Sequence, residues 1–167
     1  MDAKILLWFQ SIRTPWMNRF FLALSDSIWW IGFVFLVFLF FKKTRKLGIY
    51  ILLSLFVCTL FNSYFLKLLF MRTRPFINVI GLEHLGVLPH GSSFPSSHTT
   101  FAFSMAWMFL WMKKKKLAVL GFGYAILVAI SRMYIGVHYP TDVLAGIFIS
   151  CFISFVLYQI LEKKKIS

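Results

Sequence analysis

Of the 167 residues, 60% are hydrophobic and 20% aromatic, only 14% are charged, and the mean hydropathy is +0.80. A soluble domain carries roughly a quarter charged residues and a disordered chain far fewer apolar ones, so both are excluded, as is a disulfide scaffold with only two cysteines. The 18 Lys and Arg stand against five acids, a formal net charge of +13; in a chain this apolar the excess points to anionic lipid headgroups and to topology, not to nucleic acid.

A spanning helix needs about 20 apolar residues, which predicts an all-α fold: a polytopic transmembrane bundle of about five spanning helices plus an N-terminal interfacial helix. We read 1–167 as one domain, with residues 1–19 interfacial, 20–161 the transmembrane core and 162–167 a cytoplasmic tail. In the first stretch Ile5, Trp8, Phe9, Ile12 and Trp16 share one helical face. Burying its Arg13 and Arg19 at mid-membrane would cost about 2.5–3.5 kcal/mol each, so this helix is expected to lie in the outer interface. No small-residue cleavage site follows it, and the N-terminus is read as retained.

The next run, 20–41, is broken only by Asp26, and 48–66 carries no charge. The run 99–112 is shorter, about 21 Å as a helix. It opens after Pro95-Ser96-Ser97-His98, with a serine in position to cap it. The runs 117–130 and 143–161 complete the five. Cys58 and Cys151 fall inside apolar runs and are expected to be inert buried thiols. Gly121, Ala125 and Ala129 are expected to be close helix-packing positions.

Basic clusters follow alternate turns of the chain: Lys42, Lys43, Arg45 and Lys46; the lysines at 113–116; and those at 163–165. If the runs alternate in direction, all three clusters lie on one side, and the positive-inside rule makes that side the cytoplasm. The opposite side then collects Lys67, Arg72, Arg74, Glu83, Arg132, Asp142 and all four histidines. Outer positive charge runs against the topological rule, and a negatively charged substrate is the simplest reason for it.

Three clusters there suit one phosphate. Lys67 and Arg74 are two helical turns apart and share a face if the helix persists, with Pro75 ending it; Arg72 lies off that face and reads as a snorkelling charge. Ser96, Ser97 and His98 open a helix whose free N–H groups form a ready anion site; Ser96 can cap that helix or donate to a phosphate oxygen. Arg132, alone in an uncharged run, needs an anionic partner. His138 and Asp142 flank Pro140, so a turn rather than a helix would bring the carboxylate to one imidazole nitrogen. Each cluster taken alone also has a plain reading: a basic helix end, a capped helix, a structural His–Asp pair. Glu83, His84 and His90 read as solvated loop residues.

Together the clusters resemble the signature of the type 2 phosphatidic acid phosphatase superfamily, which includes the vanadium haloperoxidases: K-x6-RP, then PSGH, then SR-x5-H-x3-D. Lys67, Arg74 and Pro75 match the first part; Ser131, Arg132, His138 and Asp142 match the third; the second matches except that Ser97 replaces the glycine. The resemblance implies that His138 is the nucleophile, that Asp142 orients it, and that His98 protonates the leaving oxygen and then activates water. It implies that Lys67, Arg74, Ser96, Arg132 and the amides of Ser97 and His98 cradle the phosphoryl oxygens, with no metal and no cofactor. The scarcity of carboxylates agrees with that.

The activity so implied is hydrolysis of a terminal lipid phosphate at the outer face of a bacterial cytoplasmic membrane, through a phosphohistidine. The compact chain resembles bacterial members acting on undecaprenyl diphosphate; phosphatidylglycerol phosphate and phosphatidic acid stay open. The alternatives are lipid phosphotransfer and a non-enzymatic lipid-binding or transport protein. The expected partners are a lipid phosphate and membrane lipids; the oligomeric state is left open.

Overall fold

The structure, a computed structural model, describes residues 2–163, and all its regular elements are helices, with no strand among these residues. Residues 164–167 of the expected tail lie outside the described part.

The expected interfacial helix over 1–19 is two elements. Helix α1 (Asp2–Ser11) stops before Arg13, and α2 (Pro15–Val37) has already begun at Pro15. Thr14-Pro15 is the reason: Thr14 caps α2 by accepting from the Met17 N–H at 3.3 Å, and proline at the first helical position has no N–H to waste. Helix α1 docks on protein as well as facing outward. Leu6 is fully buried and packs with Leu82 and Tyr139, while Trp8 remains exposed. Arg13 is a clamp, its Nη2 donating to the Tyr134 carbonyl at 2.7 Å and its Nη1 to that of Glu83 at 2.9 Å.

Beyond a short 3-10 turn at 38–40, α3 (Lys42–Leu60) runs into a π-helical segment, Phe61–Leu66, and a last turn, α4 (Lys67–Phe70). A brief α5 (Pro75–Asn78) precedes a long loop to α6 (Ser97–Trp111); α7 (Lys115–Tyr134) and α8 (Pro140–Lys163) follow. Among the described residues four stretches are long and apolar enough to cross a membrane: Pro15–Phe40, Lys42–Asn78, Lys115–Tyr134 and Pro140–Lys163.

Helix α6, with 15 residues, falls short of that length. It is the central helix, packed most extensively on α7 and α8 and also against α3 and α2. Small side chains make this possible. Ala102 and Ala106 are fully buried with Ala125 and Ala129 of α7, and Gly121 seats directly over Ala106. The expected packing role of Gly121, Ala125 and Ala129 is therefore met. At one end of the bundle Lys46 of α3 pairs with Glu162 of α8 at 2.7 Å, so the basic cluster at 42–46 lies beside the end of α8. The candidate site lies where α6 and α8 begin and α7 ends.

Candidate active site

Helix α4 ends because Met71 adopts a left-handed conformation, φ 41°. The helix therefore does not persist to Arg74, and the expected shared face of Lys67 and Arg74 does not exist. Arg74 instead occupies the extended position before Pro75, and its guanidinium turns inward, 4% exposed. Its Nε donates to the Gly91 carbonyl at 3.1 Å, Nη1 to that of Val137 at 3.1 Å, and Nη2 to those of His90 at 3.0 Å and Ser92 at 3.4 Å. Four of the five Arg74 N–H groups tie the loop before α6 to the segment of chain that carries His138, and one Nη1 hydrogen is left for the phosphate expected there.

The opposite holds for Arg132. It is 7% exposed; Nη1 donates to the Ser25 hydroxyl of α2, and Nε has no partner. A buried guanidinium N–H without an acceptor costs stability unless a ligand supplies one. Arg132 lines a cavity of about 400 Å³ together with His98, Ser25, Asp26, Leu85 and Val87. Asp26, the lone acid of the first apolar run, is the carboxylate acting on Arg132.

Gly136 turns the chain out of α7. Its φ is +84°, and a Cβ there would stand 2.8 Å from the Glu83 carbonyl oxygen, so only glycine fits. The turn delivers His138, 3% exposed, with Nδ1 2.7 Å from the Ser93 carbonyl oxygen. A carbonyl only accepts, so Nδ1 carries the hydrogen and Nε2 keeps its lone pair. Burial pushes the His138 imidazole down to about 4, Arg132 and Arg74 acting in the same direction against Asp142. The ring is neutral at pH 7.

Asp142 was expected to orient that ring by taking its N–H. Instead Ser93 holds it, and Asp142 Oδ2 stands 3.6 Å away, accepting from the Tyr139 N–H at 2.9 Å in the first turn of α8. Its other oxygen accepts from Arg72 at 2.5 Å. As expected, no continuous helix joins His138 to Asp142; α8 begins at Pro140, ahead of the run read from the sequence.

Ser96 is fully buried and caps α6, its oxygen accepting from the Thr99 N–H at 3.5 Å and the Thr99 hydroxyl at 2.9 Å. Of its two expected roles, the structure shows the cap. The Ser96 N–H donates to the Asp142 carbonyl at 3.1 Å, joining the starts of α6 and α8. The Ser97 hydroxyl accepts from Asn62 Nδ2 of the π segment at 3.1 Å. Lys67 is half-buried and opens on a second cavity of about 450 Å³ beside Arg72 and Ser92. The charges of Lys67, Arg74 and Arg132 all act on His98, and His98 and Arg132 line one cavity, so the three sequence clusters converge. Glu83 and His90 contribute backbone carbonyls to the arginine clamps, and the His84 ring packs 5.0 Å from that of Phe76.

The amino-acid profile of the PAP2 superfamily matches residues 43–166. The chain belongs to the PAP2 superfamily. An undecaprenyl-diphosphatase of Sulfolobus acidocaldarius is 38% identical over 122 residues, 73% of this chain and 59% of that protein. A lipid A 4'-phosphatase of Porphyromonas gingivalis is 30% identical over 172 residues, 96% of this chain and 72% of that one. This PAP2 chain thus spans about three-fifths of the first relative and nearly three-quarters of the second. Among solved structures, the transmembrane PAP2 type phosphatidylglycerolphosphate phosphatase of Bacillus subtilis superposes with a TM-score of 0.80 at 28% identity, covering 97% of this chain and 85% of that one. Aquifex aeolicus LpxE gives 0.82 at 28% identity, covering 95% and 94%. The fold is that of a multi-pass PAP2 membrane protein.

Three participants were not legible as such in the sequence. Arg72 reads from the sequence as a snorkelling charge at a helix end. The Ser93 carbonyl is a main-chain atom and leaves no side-chain signal. Asp26 did stand out as an acid in an apolar run, and that was its available signal.

Proposed function

We propose that this protein is an integral membrane lipid phosphatase that removes a terminal phosphate through a phosphohistidine on His138. The observation that carries the reading is the pairing of a buried, neutral His138, whose Nε2 is free, with a buried Arg132 whose Nε has no acceptor. In the proposed reaction Nε2 attacks phosphorus as the P–O bond to the lipid breaks; His98, which burial and the neighbouring cations hold neutral in the protein alone, takes up a proton with the anionic phosphate and passes it to the departing oxygen. A water then attacks the phosphohistidine, His98 takes its proton, the P–N bond breaks, and inorganic phosphate leaves. Lys67, Arg132 and the amides at the start of α6 carry the charge on the equatorial oxygens. All of these cations are side chains, and the step calls on no metal.

A lipid substrate is supported by the position of the site at helix ends of an apolar bundle. The charge pattern supports an outward-facing site in a bacterial plasma membrane. The relatives are named for undecaprenyl diphosphate, lipid A and phosphatidylglycerol phosphate chemistry. Undecaprenyl diphosphate is the substrate we favour.

The test is phosphate release in detergent from a panel of polyprenyl and glycerolipid phosphates, with His138→Ala as the blank. Turnover without added metal, blocked by vanadate and abolished in the variant, is the expected result. Turnover unchanged in His138→Ala sinks the nucleophile assignment.

A further inference from the structure

Arg72 has no part in that mechanism, yet its guanidinium is held between two carboxylates, a hydroxyl and an aromatic ring. Its Nη1 donates to Asp142 Oδ1 at 2.5 Å and to the Thr141 hydroxyl at 2.7 Å. Its Nη2 lies 3.6 Å from Asp2 Oδ2, and its guanidinium rests over the Tyr139 ring, 4.0 Å from the centroid. Asp2, at the start of α1, is itself held by the Thr141 hydroxyl at 2.8 Å. The pair is asymmetric: 33% of the Arg72 side chain is exposed and none of that of Asp142.

A buried carboxylate needs both a counter-charge and donors for its oxygens. Without Arg72, the donor next in reach of Asp142 is His138 Nδ1 at 3.6 Å, and Asp142 would compete with the Ser93 carbonyl for it. With Arg72 on Oδ1 and the Tyr139 N–H on Oδ2, the carboxylate is held on two sides. Its negative charge then faces the imidazole edge at a fixed distance while Ser93 keeps the tautomer. This matters most when Nε2 bonds to phosphorus and the ring becomes cationic.

We propose that Arg72 is a positioning residue that acts on His138 through Asp142, and that Asp2 ties helix α1 into the same network. The proposal rests on the phosphohistidine reading above. It predicts a defect in the chemical step and not in substrate capture, which separates Arg72 from Lys67 across the cavity they share.

The experiment compares wild type, Arg72→Ala and Arg72→Lys in detergent, measuring steady-state phosphate release, quench-flow formation of the phosphoenzyme, and thermal unfolding. Arg72→Ala is expected to lower kcat by about 10–100-fold with KM within about threefold, the scale of a small misplacement of a reacting group. Arg72→Lys, which restores the charge without the fork, is expected to recover part of the loss. An Arg72→Ala protein that folds and keeps its kcat overturns the proposal, and so does a defect confined to KM. If Arg72→Ala does not fold, Arg72→Lys decides in the same way: a kcat defect at unchanged KM supports the proposal, and full kcat overturns it. Wild type that releases no phosphate counts against the function itself; wild-type turnover beside an unaffected Arg72→Ala counts against this inference alone.

Discussion

The Nδ1 atom of His138, on the turn between α7 and α8, hydrogen-bonds at 2.7 Å to the carbonyl oxygen of Ser93, on the loop leading into α6. One main-chain oxygen therefore selects the imidazole tautomer, and the loop that supplies it is tied down by Arg72 and Arg74. The Ser93 N–H donates to the Arg72 carbonyl at 2.8 Å, and Arg74 holds the carbonyls on either side of Gly91.

The first prediction concerns this ring. Its protonation is pushed from the ordinary 6.5 down to about 4 by burial. The unfolded chain therefore binds the proton first. Stability from this group is full above pH 6.5 and is lost as the pH falls toward 4. Nitrogen-15 spectra of histidine-labelled protein in detergent should show a neutral His138 protonated on Nδ1 at pH 6, where an exposed histidine is mostly cationic. A midpoint near 6.5, or a proton on Nε2, would contradict the burial argument.

Arg74 and Arg132 should fail differently. Removing Arg74 strands four loop carbonyls, so Arg74→Ala is expected to lose at least about 3 kcal/mol of stability, read as the midpoint of thermal unfolding in detergent. Arg132 makes one hydrogen bond, to Ser25, and its Nε makes none. Arg132→Ala is expected to lower turnover by about 10²–10³-fold, the effect of deleting one donor to a developing anion, with a smaller change in unfolding. Identical behaviour of the two variants would refute the division of labour.

Ser97 stands where the family pattern has glycine. Its hydroxyl is engaged by Asn62, whose Oδ1 has no partner of its own. Ser97→Gly is expected to cost about 1 kcal/mol, one hydrogen bond plus backbone entropy, and to leave kcat within about threefold. A loss of kcat as large as that of Arg132→Ala would show that this hydroxyl, and not only the amide beside it, contacts the phosphoryl group.

Gly146 sets the spacing of α8 from α6. A Cβ there would meet Thr100 Oγ1 at 3.0 Å and the Ser96 carbonyl oxygen at 3.1 Å. Gly146→Val should push apart the two helix starts that carry Ser96 and Asp142, costing about 1–3 kcal/mol and lowering activity. At Gly123 a Cβ meets nothing within 4 Å, so Gly123→Ala serves as the control and should be neutral or stabilising. Equal damage at both positions would mean that helix propensity, not the α6–α8 approach, is responsible.

The sequence by itself determined the helices and the company of the reactive groups. In a bilayer the backbone must satisfy its own hydrogen bonds, so long apolar runs become helices wherever they occur, and the motif spacings place Lys67, His98, Arg132, His138 and Asp142 at helix ends. Where the first helix would divide was also written locally, in Thr14-Pro15. Which atom each cation touches was decided only by tertiary structure. Arg72 reaches Asp142 and Arg74 reaches the loop carbonyls because the left-handed Met71 turns the chain between Lys67 and Arg74. Their partners are carbonyls and a carboxylate many residues away, and no spacing rule records a main-chain oxygen such as that of Ser93 as a ligand.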